Sequence, residues 1–195
     1  MNTRRAYTGL VLAVGAERVA ELVVSRRNVA RSLARGGQEV GREHYPVMVA
    51  LHTGLLGASL AEVQLRRRRM RPVGWVALGG VVAAQGLRWW CIRTLGEQWS
   101  TRVVVVPGAS RVTGGPYRWL RHPNYVAVVV EVAALPLVHD ARITALAFSA
   151  ANAALLRRRI QVEDAALELS AHTVLTAEEA LQFLHILQRE QGQDD

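Results

Sequence analysis

Two short stretches hold most of the side chains able to do chemistry. The first, GPYRWLRHPNY (residues 115–125), sets Tyr117, Arg118, Trp119, Arg121, His122 and Tyr125 directly ahead of an apolar run. Pro123 suits the first position of a helix, where its missing N–H is no loss. His122 then caps or nearly caps that helix, and the free amides of Asn124 and Tyr125 lie at the positive end of its dipole. Such an end favours an anion such as a carboxylate. Arg118 and Arg121 strengthen that preference, and the rings of Tyr117, Trp119 and Tyr125 offer flat faces to a ring or a cationic group. The stretch reads as a binding mouth for a ligand with an acidic end and an aromatic part. The same residue types also make an interfacial belt that merely anchors a span.

The second stretch, LLRRRIQVEDAALE (residues 155–168), closes another apolar run. Arg159 and Glu163 are four apart, so on a helix they share a face and can pair. Asp164 projects about a quarter-turn away, and Glu168 falls a turn below it. Glu131 is a third candidate: an acid deep inside an apolar segment is functional by default.

These residues need elements to hold them. The 195 residues suffice for one domain, 1–195, with no evident linker. Half of the residues are hydrophobic, the mean hydropathy is +0.11 and the formal net charge is +8. That pairing is normal for a small polytopic membrane protein. The arginines sit between apolar blocks and do not stripe one polar face, which argues against a nucleic-acid partner. Lone Cys91 excludes an internal disulfide or a multi-cysteine metal site and reads as a small buried residue. No cleavable signal peptide is expected, because the first apolar run carries Glu17, Arg18 and Glu21.

A helix needs about 20 mostly apolar residues to cross a bilayer. Five segments qualify or nearly do: 7–24, 45–63, 73–92, 123–138 and 141–156. The last two, joined at His139 and Asp140, form a helical hairpin that brings RHPNY and RIQVED to one membrane face. The fold class expected is therefore all-α, an integral membrane protein of about five spans. Small residues (Gly54, Gly57, Ala58, Gly79, Gly80, Ala84 and Gly86) would let helices approach closely. Residues 93–122 form a long connection on the site side, with a β-prone run at Val103–Val106, and a loop of that length is usually functional. Residues 157–190 continue as a helical segment, in which TAEEALQFLHILQREQ, from Thr176, reads as a capped amphipathic helix. Arginine counting places the side holding Arg26, Arg27, Arg31, Arg35, Arg42 and Arg157–Arg159 in the cytoplasm, although RRRRMR (66–71) lies on the other side.

GPYRWLRHPNY, an apolar hairpin and then RIQVED together resemble the isoprenylcysteine carboxyl methyltransferase family, over roughly residues 73–169. The upstream ERVAELVVSRRN and GREHYPVMVALHT resemble a bacterial branch often associated with type III polyketide synthases and linked to methylation of lipid-like polyketides. The resemblance implies an integral-membrane enzyme that uses S-adenosylmethionine. It implies that Tyr117, Arg121, His122, Pro123, Tyr125 and Glu163 wrap the cofactor, and that Arg159, Glu163 and Asp164 close the pocket and orient the acceptor. The chain departs from the family at Asp164, where a glutamate is more usual, and in its tail, which lacks the family's tyrosines.

Methyl transfer from a sulfonium is an in-line displacement, so the protein must hold the acceptor oxygen about 3 Å behind the methyl in a dry pocket. A carboxylate acceptor needs no base; a hydroxyl does, and Glu163 or His122 is then the candidate. The function expected is an O-methyltransferase acting on a lipophilic acceptor, either an isoprenylcysteine-type carboxylate or the hydroxyl of a lipid-like polyketide. It would sit in a bacterial cell membrane with its cofactor site facing the cytoplasm, in contact with membrane lipid and with a soluble polyketide synthase as candidate partner. The alternatives are a phospholipid N-methyltransferase, a membrane reductase of similar architecture, or a non-catalytic membrane partner of a lipid-producing enzyme.

Overall fold

A computed structural model describes residues 3–191, with side chains to residue 168. Five helices follow one another: α1 (Thr3–Ala34), α2 (His44–Leu65), α3 (Pro72–Leu95), α4 (Pro123–Leu137) and α5 (Arg142–Gln191). The five expected spans fall on these helices in order. Pro72 and Pro123 open α3 and α4 at positions where a helix has no use for an amide proton. Between α4 and α5 the chain turns at once through Asp140, which takes a positive φ of 61°.

Three features depart from the sequence reading. Residues 38–40 form a strand, β1, that pairs antiparallel with β2 (Val103–Val105), in the register Gln38 to Val105 and Val40 to Val103. The β-prone valines were legible; their partner, QEV, was not. Second, α5 runs unbroken through Thr176, so that threonine starts no new helix, and the amphipathic face expected beyond it lies outside the described side chains. Third, His122 does occupy the N-cap of α4, but its side chain makes no capping bond.

By length and apolar composition, one described helix, α2, is long and apolar enough to cross a membrane, and α4 is apolar but shorter. Charges set α1 apart, and those at mid-helix, Glu17, Arg18 and Glu21, point inward. Arg18 reaches Glu21 at 2.6 Å and Glu131 on α4 at 2.7 Å, and Arg88 on α3 grips Glu21 with two nitrogens. A buried ionic cluster thus ties α1, α3 and α4 together. Buried ions are tolerable only when each finds a partner.

An apolar core fills the end away from the candidate site, built on Tyr7, Val11, Val63, Val81, Leu135 and Val138. There the Tyr7 hydroxyl donates to the Leu135 carbonyl at 3.1 Å. Glu62, from the end of α2, accepts from the Thr144 amide at 2.8 Å and its hydroxyl at 2.9 Å. It therefore satisfies the first turn of α5 and complements the dipole. Of the small residues expected at crossings, Gly54 and Gly80 lie against Phe148 and Ala134, whereas Gly57, Gly79 and Gly86 face open space.

Candidate functional site

The 93–122 connection is pinned to the bundle by polar side chains. Asn28 on α1 donates to the carbonyls of Gly96 (3.1 Å) and Trp99 (2.8 Å), and Ser25 bonds the Thr101 hydroxyl at 2.8 Å. On its other flank, Arg159 of α5 donates to the Thr101 carbonyl. The 3-10 turn Gly115–Arg118 folds back on α3 because residue 115 is glycine. With φ at 53°, a Cβ there would lie 2.4 Å from Thr94 Oγ1. That close seat puts Tyr117 against the Cys91 thiol and Trp119 edge-on to Trp90, with centroids 5.8 Å apart. Burial, with the Cys91 thiol beside it, raises the Tyr117 hydroxyl far above its ordinary value, so it stays protonated at neutral pH.

At the mouth of α4 the two chemical stretches meet. His122 Nε2 lies 3.1 Å from Asp164 Oδ1, and Nδ1 lies 3.8 Å from Glu163 Oε1. The His122 ring stacks on Tyr125, with centroids 5.4 Å apart. The Tyr125 hydroxyl donates to Glu163 and accepts from Arg159 Nε at 3.0 Å. Arg159 also points Nη1 at the Met48 sulfur, 3.0 Å away, and is 8% exposed. Arg159 and Glu163 therefore meet through Tyr125. The direct pairing suggested by their spacing is not among the described ion pairs, because the phenol stands between them.

Two cavities adjoin this cluster. The outer one, of about 120 Å³, is lined by Tyr117, His122, Tyr125, Arg159 and Glu163 together with β2. The inner one, of about 110 Å³, lies among the helices, and all five contribute to it. Trp99, Ser100, Asn124, Tyr125 and Arg159 line both and so form the wall between them. Exposed Thr53 also lines the inner cavity, which therefore reaches the outer surface of the helices.

Of the residues singled out from sequence, Arg118, Trp119, Arg121, Pro123, Glu131, Asp164 and Glu168 stand outside both linings. Pro123 is buried behind the mouth, where it starts α4. Asp164 holds His122 and, at 3.3 Å, the exposed Arg121. Glu131 belongs to the ionic cluster. Sequence reasoning missed Trp99, Met48, His52, Arg88 and Asn152, and of Asn124 it used only the backbone amide, not the side chain. Three of these, His52, Arg88 and Asn152, are polar residues inside apolar segments, a signal in itself.

The family model of the isoprenylcysteine carboxyl methyltransferase (ICMT) family matches residues 75–169. The uncharacterized protein YpbQ of Bacillus subtilis (strain 168) is 36% identical over 160 residues, which cover 82% of this chain and 95% of that protein. An uncharacterized protein of Haemophilus influenzae is 23% identical over 147 residues, covering 75% of this chain and 86% of its own. No solved structure matches the chain. The matched segment runs from early α3 to Leu169 and contains every residue of the Tyr125 cluster except Met48.

Proposed function

Because the chain belongs to the isoprenylcysteine carboxyl methyltransferase family, a family of membrane-embedded methyltransferases, we propose that it methylates an oxygen of a lipophilic acceptor with S-adenosylmethionine as donor. The observation that carries this reading is the shared wall. Tyr125, clamped by Glu163 and Arg159, lines both a polar outer chamber and a largely apolar inner one. A donor and an acceptor held in the two would meet across it.

The outer chamber suits a polar, zwitterionic nucleoside. Asn124 Oδ1 and Trp99 Nε1 are buried in the shared wall with no partner among the described residues. They retain hydrogen-bonding capacity that a ligand can use. Glu163, His122 and Arg102 add acceptors and donors, and Tyr117 and Tyr125 add aromatic faces. Pro123 and Arg121 act from behind, the first by setting the start of α4 and the second by holding Asp164. When bound, S-adenosylmethionine supplies a methyl group on a positively charged sulfur. Arg159, nearly buried in the wall, orients the acceptor oxygen and balances its charge. An acceptor carboxylate is already ionised. An acceptor hydroxyl passes its proton toward Glu163, directly or through Tyr125, or to His122.

The membrane reading gains support from the outer surface. Val76 and Val82 on α3, Val129 on α4 and Leu146 on α5 are among many exposed apolar side chains. Exposed Trp75 and Trp90 stand 15 residues apart on α3, about 22 Å along the axis at 1.5 Å per residue. That span is shorter than the ~30 Å hydrocarbon core of a bilayer, so the exposed apolar side chains, and not the tryptophan spacing, carry this support. A five-span arrangement then puts the outer chamber at the water boundary, on the arginine-rich side assigned to the cytoplasm, and lets a lipid-like acceptor enter sideways past Thr53. An isoprenylcysteine-type carboxylate and the hydroxyl of a lipid-like polyketide both suit such an entry. The latter would make a soluble polyketide synthase a natural partner.

The test uses the full chain purified in detergent. It should bind S-adenosylhomocysteine saturably and move a labelled methyl group from the donor to an oxygen of a lipid extract. A folded sample that does neither overturns the reading. Label found on nitrogen would turn it toward a phospholipid N-methyltransferase, and binding of a nicotinamide cofactor toward a reductase.

A further inference from the structure

The inner chamber holds polar groups that the Tyr125 wall does not use. Arg88, whose side chain is 7% exposed, spends Nε and Nη2 on the two oxygens of Glu21, and its Nη1 has no partner among the described residues. Asn152, 2% exposed, has an unpartnered Oδ1. His52 lies 2.9 Å by Nδ1 from the Met48 carbonyl. A carbonyl can only accept, so the ring proton sits on Nδ1 and Nε2 is left as an acceptor. All three residues line the same cavity, among apolar side chains such as Leu22, Val49 and Val128. Buried polar groups are nearly always satisfied, so two orphans and a spare acceptor around one void point to a missing partner.

Charge decides what kind of partner. Two arginines, Arg18 and Arg88, face three carboxylates, Glu17, Glu21 and Glu131. The charge of Arg88 is thus already balanced, and an anion at this end of the chamber would add to a local acidic excess; Arg159, the third arginine of the lining, stands at the Tyr125 wall. What remains open is hydrogen bonding: a donor on Arg88, and acceptors on Asn152 and His52. A neutral hydroxyl accepts from Arg88 and donates its one hydrogen to Asn152, with His52 as the alternative acceptor; a carboxylate has no hydrogen to donate.

We propose that the inner chamber selects its lipophilic occupant by a neutral hydroxyl on the head, which accepts from Arg88 and donates to Asn152, with His52 as the alternative acceptor, apart from the oxygen that is methylated at the Tyr125 wall. The identity of that occupant as methyl acceptor rests on the methyltransferase reading; its binding does not. Arg88, Asn152 and His52 are accordingly specificity residues.

Thermal unfolding of the full chain in detergent tests this, with dodecan-1-ol, dodecane and dodecanoate at equal mole fraction in the micelle. A ligand that binds the native state raises the midpoint, and dodecane corrects for partitioning. Dodecan-1-ol should raise the midpoint by about 3 °C or more over dodecane and over dodecanoate. Asn152→Leu removes no bond present in the structure and should fold. It should lose at least half of that increment, as should Arg88→Lys, which keeps a cation for Glu21 but whose single ammonium head lacks the guanidinium fork that leaves Nη1 for a ligand. Equal shifts for alcohol and alkane, a larger shift for dodecanoate, or a full increment in Asn152→Leu would each overturn the proposal. S-adenosylhomocysteine, added separately, should stabilise wild type and Asn152→Leu alike. If it stabilises neither while the alcohol still discriminates, the methyltransferase reading fails and the hydroxyl site stands.

Discussion

The Tyr125 hydroxyl donates to the Glu163 carboxylate, and on its other side it accepts from Arg159 Nε at 3.0 Å. One phenol from the first turn of α4 thereby joins a cation and an anion that sit one helical turn apart on α5. The consequence is geometric. Arg159 is left free to reach Met48 and the Thr101 carbonyl, and so to tie α2 and the long connection to the same point.

Tyr125→Phe removes that junction while keeping the ring that stacks on His122. A hydrogen bond to a charged group contributes about 1.5–3 kcal/mol, and here one atom makes two. We expect the kcat/KM of methyl transfer to fall roughly 10- to 100-fold, with S-adenosylhomocysteine affinity changing less. A labelled-methyl assay and calorimetry on the same preparation separate the two. Unchanged turnover in Tyr125→Phe would remove the shared wall from the chemistry.

Acid should loosen the attachment of α1 to the connection. The Glu97 carboxyl is held below its ordinary value near 4.5 by its hydrogen bond to Arg35, then by the charges of Arg35 and Arg31. A carboxyl whose folded value is depressed contributes stability above its unfolded value and loses it as pH falls through the folded one. Between neutral pH and about 5 the contribution is therefore constant; below about 4.5 it declines. Glu97 is exposed, so salt should weaken it further. Thermal midpoints from pH 7 to pH 3 should fall less steeply in Glu97→Gln than in wild type, and the gap should narrow at high salt. Parallel curves would show that these ion pairs contribute nothing.

The helices were legible because their signals are local: proline at the first turn of α3 and α4, apolar runs of sufficient length, and a turn at His139–Asp140. The meeting of His122 with Asp164 followed from one topological inference, that a hairpin returns its ends to the same side. What escaped depends on pairs distant in sequence. QEV at 38–40 has no strand signature until Val103–Val105 lies beside it. The spacing of Arg159 and Glu163 suggested a direct pair, and nothing in that spacing shows a tyrosine 34 residues upstream of Arg159 entering between them. Glu131 read as a functional acid, but Arg18, 113 residues earlier, holds it in an ionic cluster. The inner chamber was hardest to foresee, since each helix lends it only a few residues.

Gly115 connects this distant packing to the site. Its φ of 53° and the 2.4 Å that would separate an added Cβ from Thr94 Oγ1 leave room for no side chain. Thr94 cannot easily yield, because its hydroxyl is bonded to the Trp90 carbonyl at 2.8 Å. Gly115→Ala therefore adds a left-handed backbone penalty of roughly 1–2 kcal/mol to a clash, and the turn bearing Tyr117 must lift from α3. The apolar core around Tyr7, Val63 and Leu135 lies elsewhere and should keep the fold. The expected result is S-adenosylhomocysteine binding weakened about tenfold, the effect of about 1.4 kcal/mol, with the thermal midpoint lowered by only a few degrees. Gly114→Ala is the control: φ there is −84°, and nothing lies within 4 Å of an added Cβ. It should bind like wild type. Equal weakening in both variants would mean that the seat of residue 115 on α3 does not set the outer chamber.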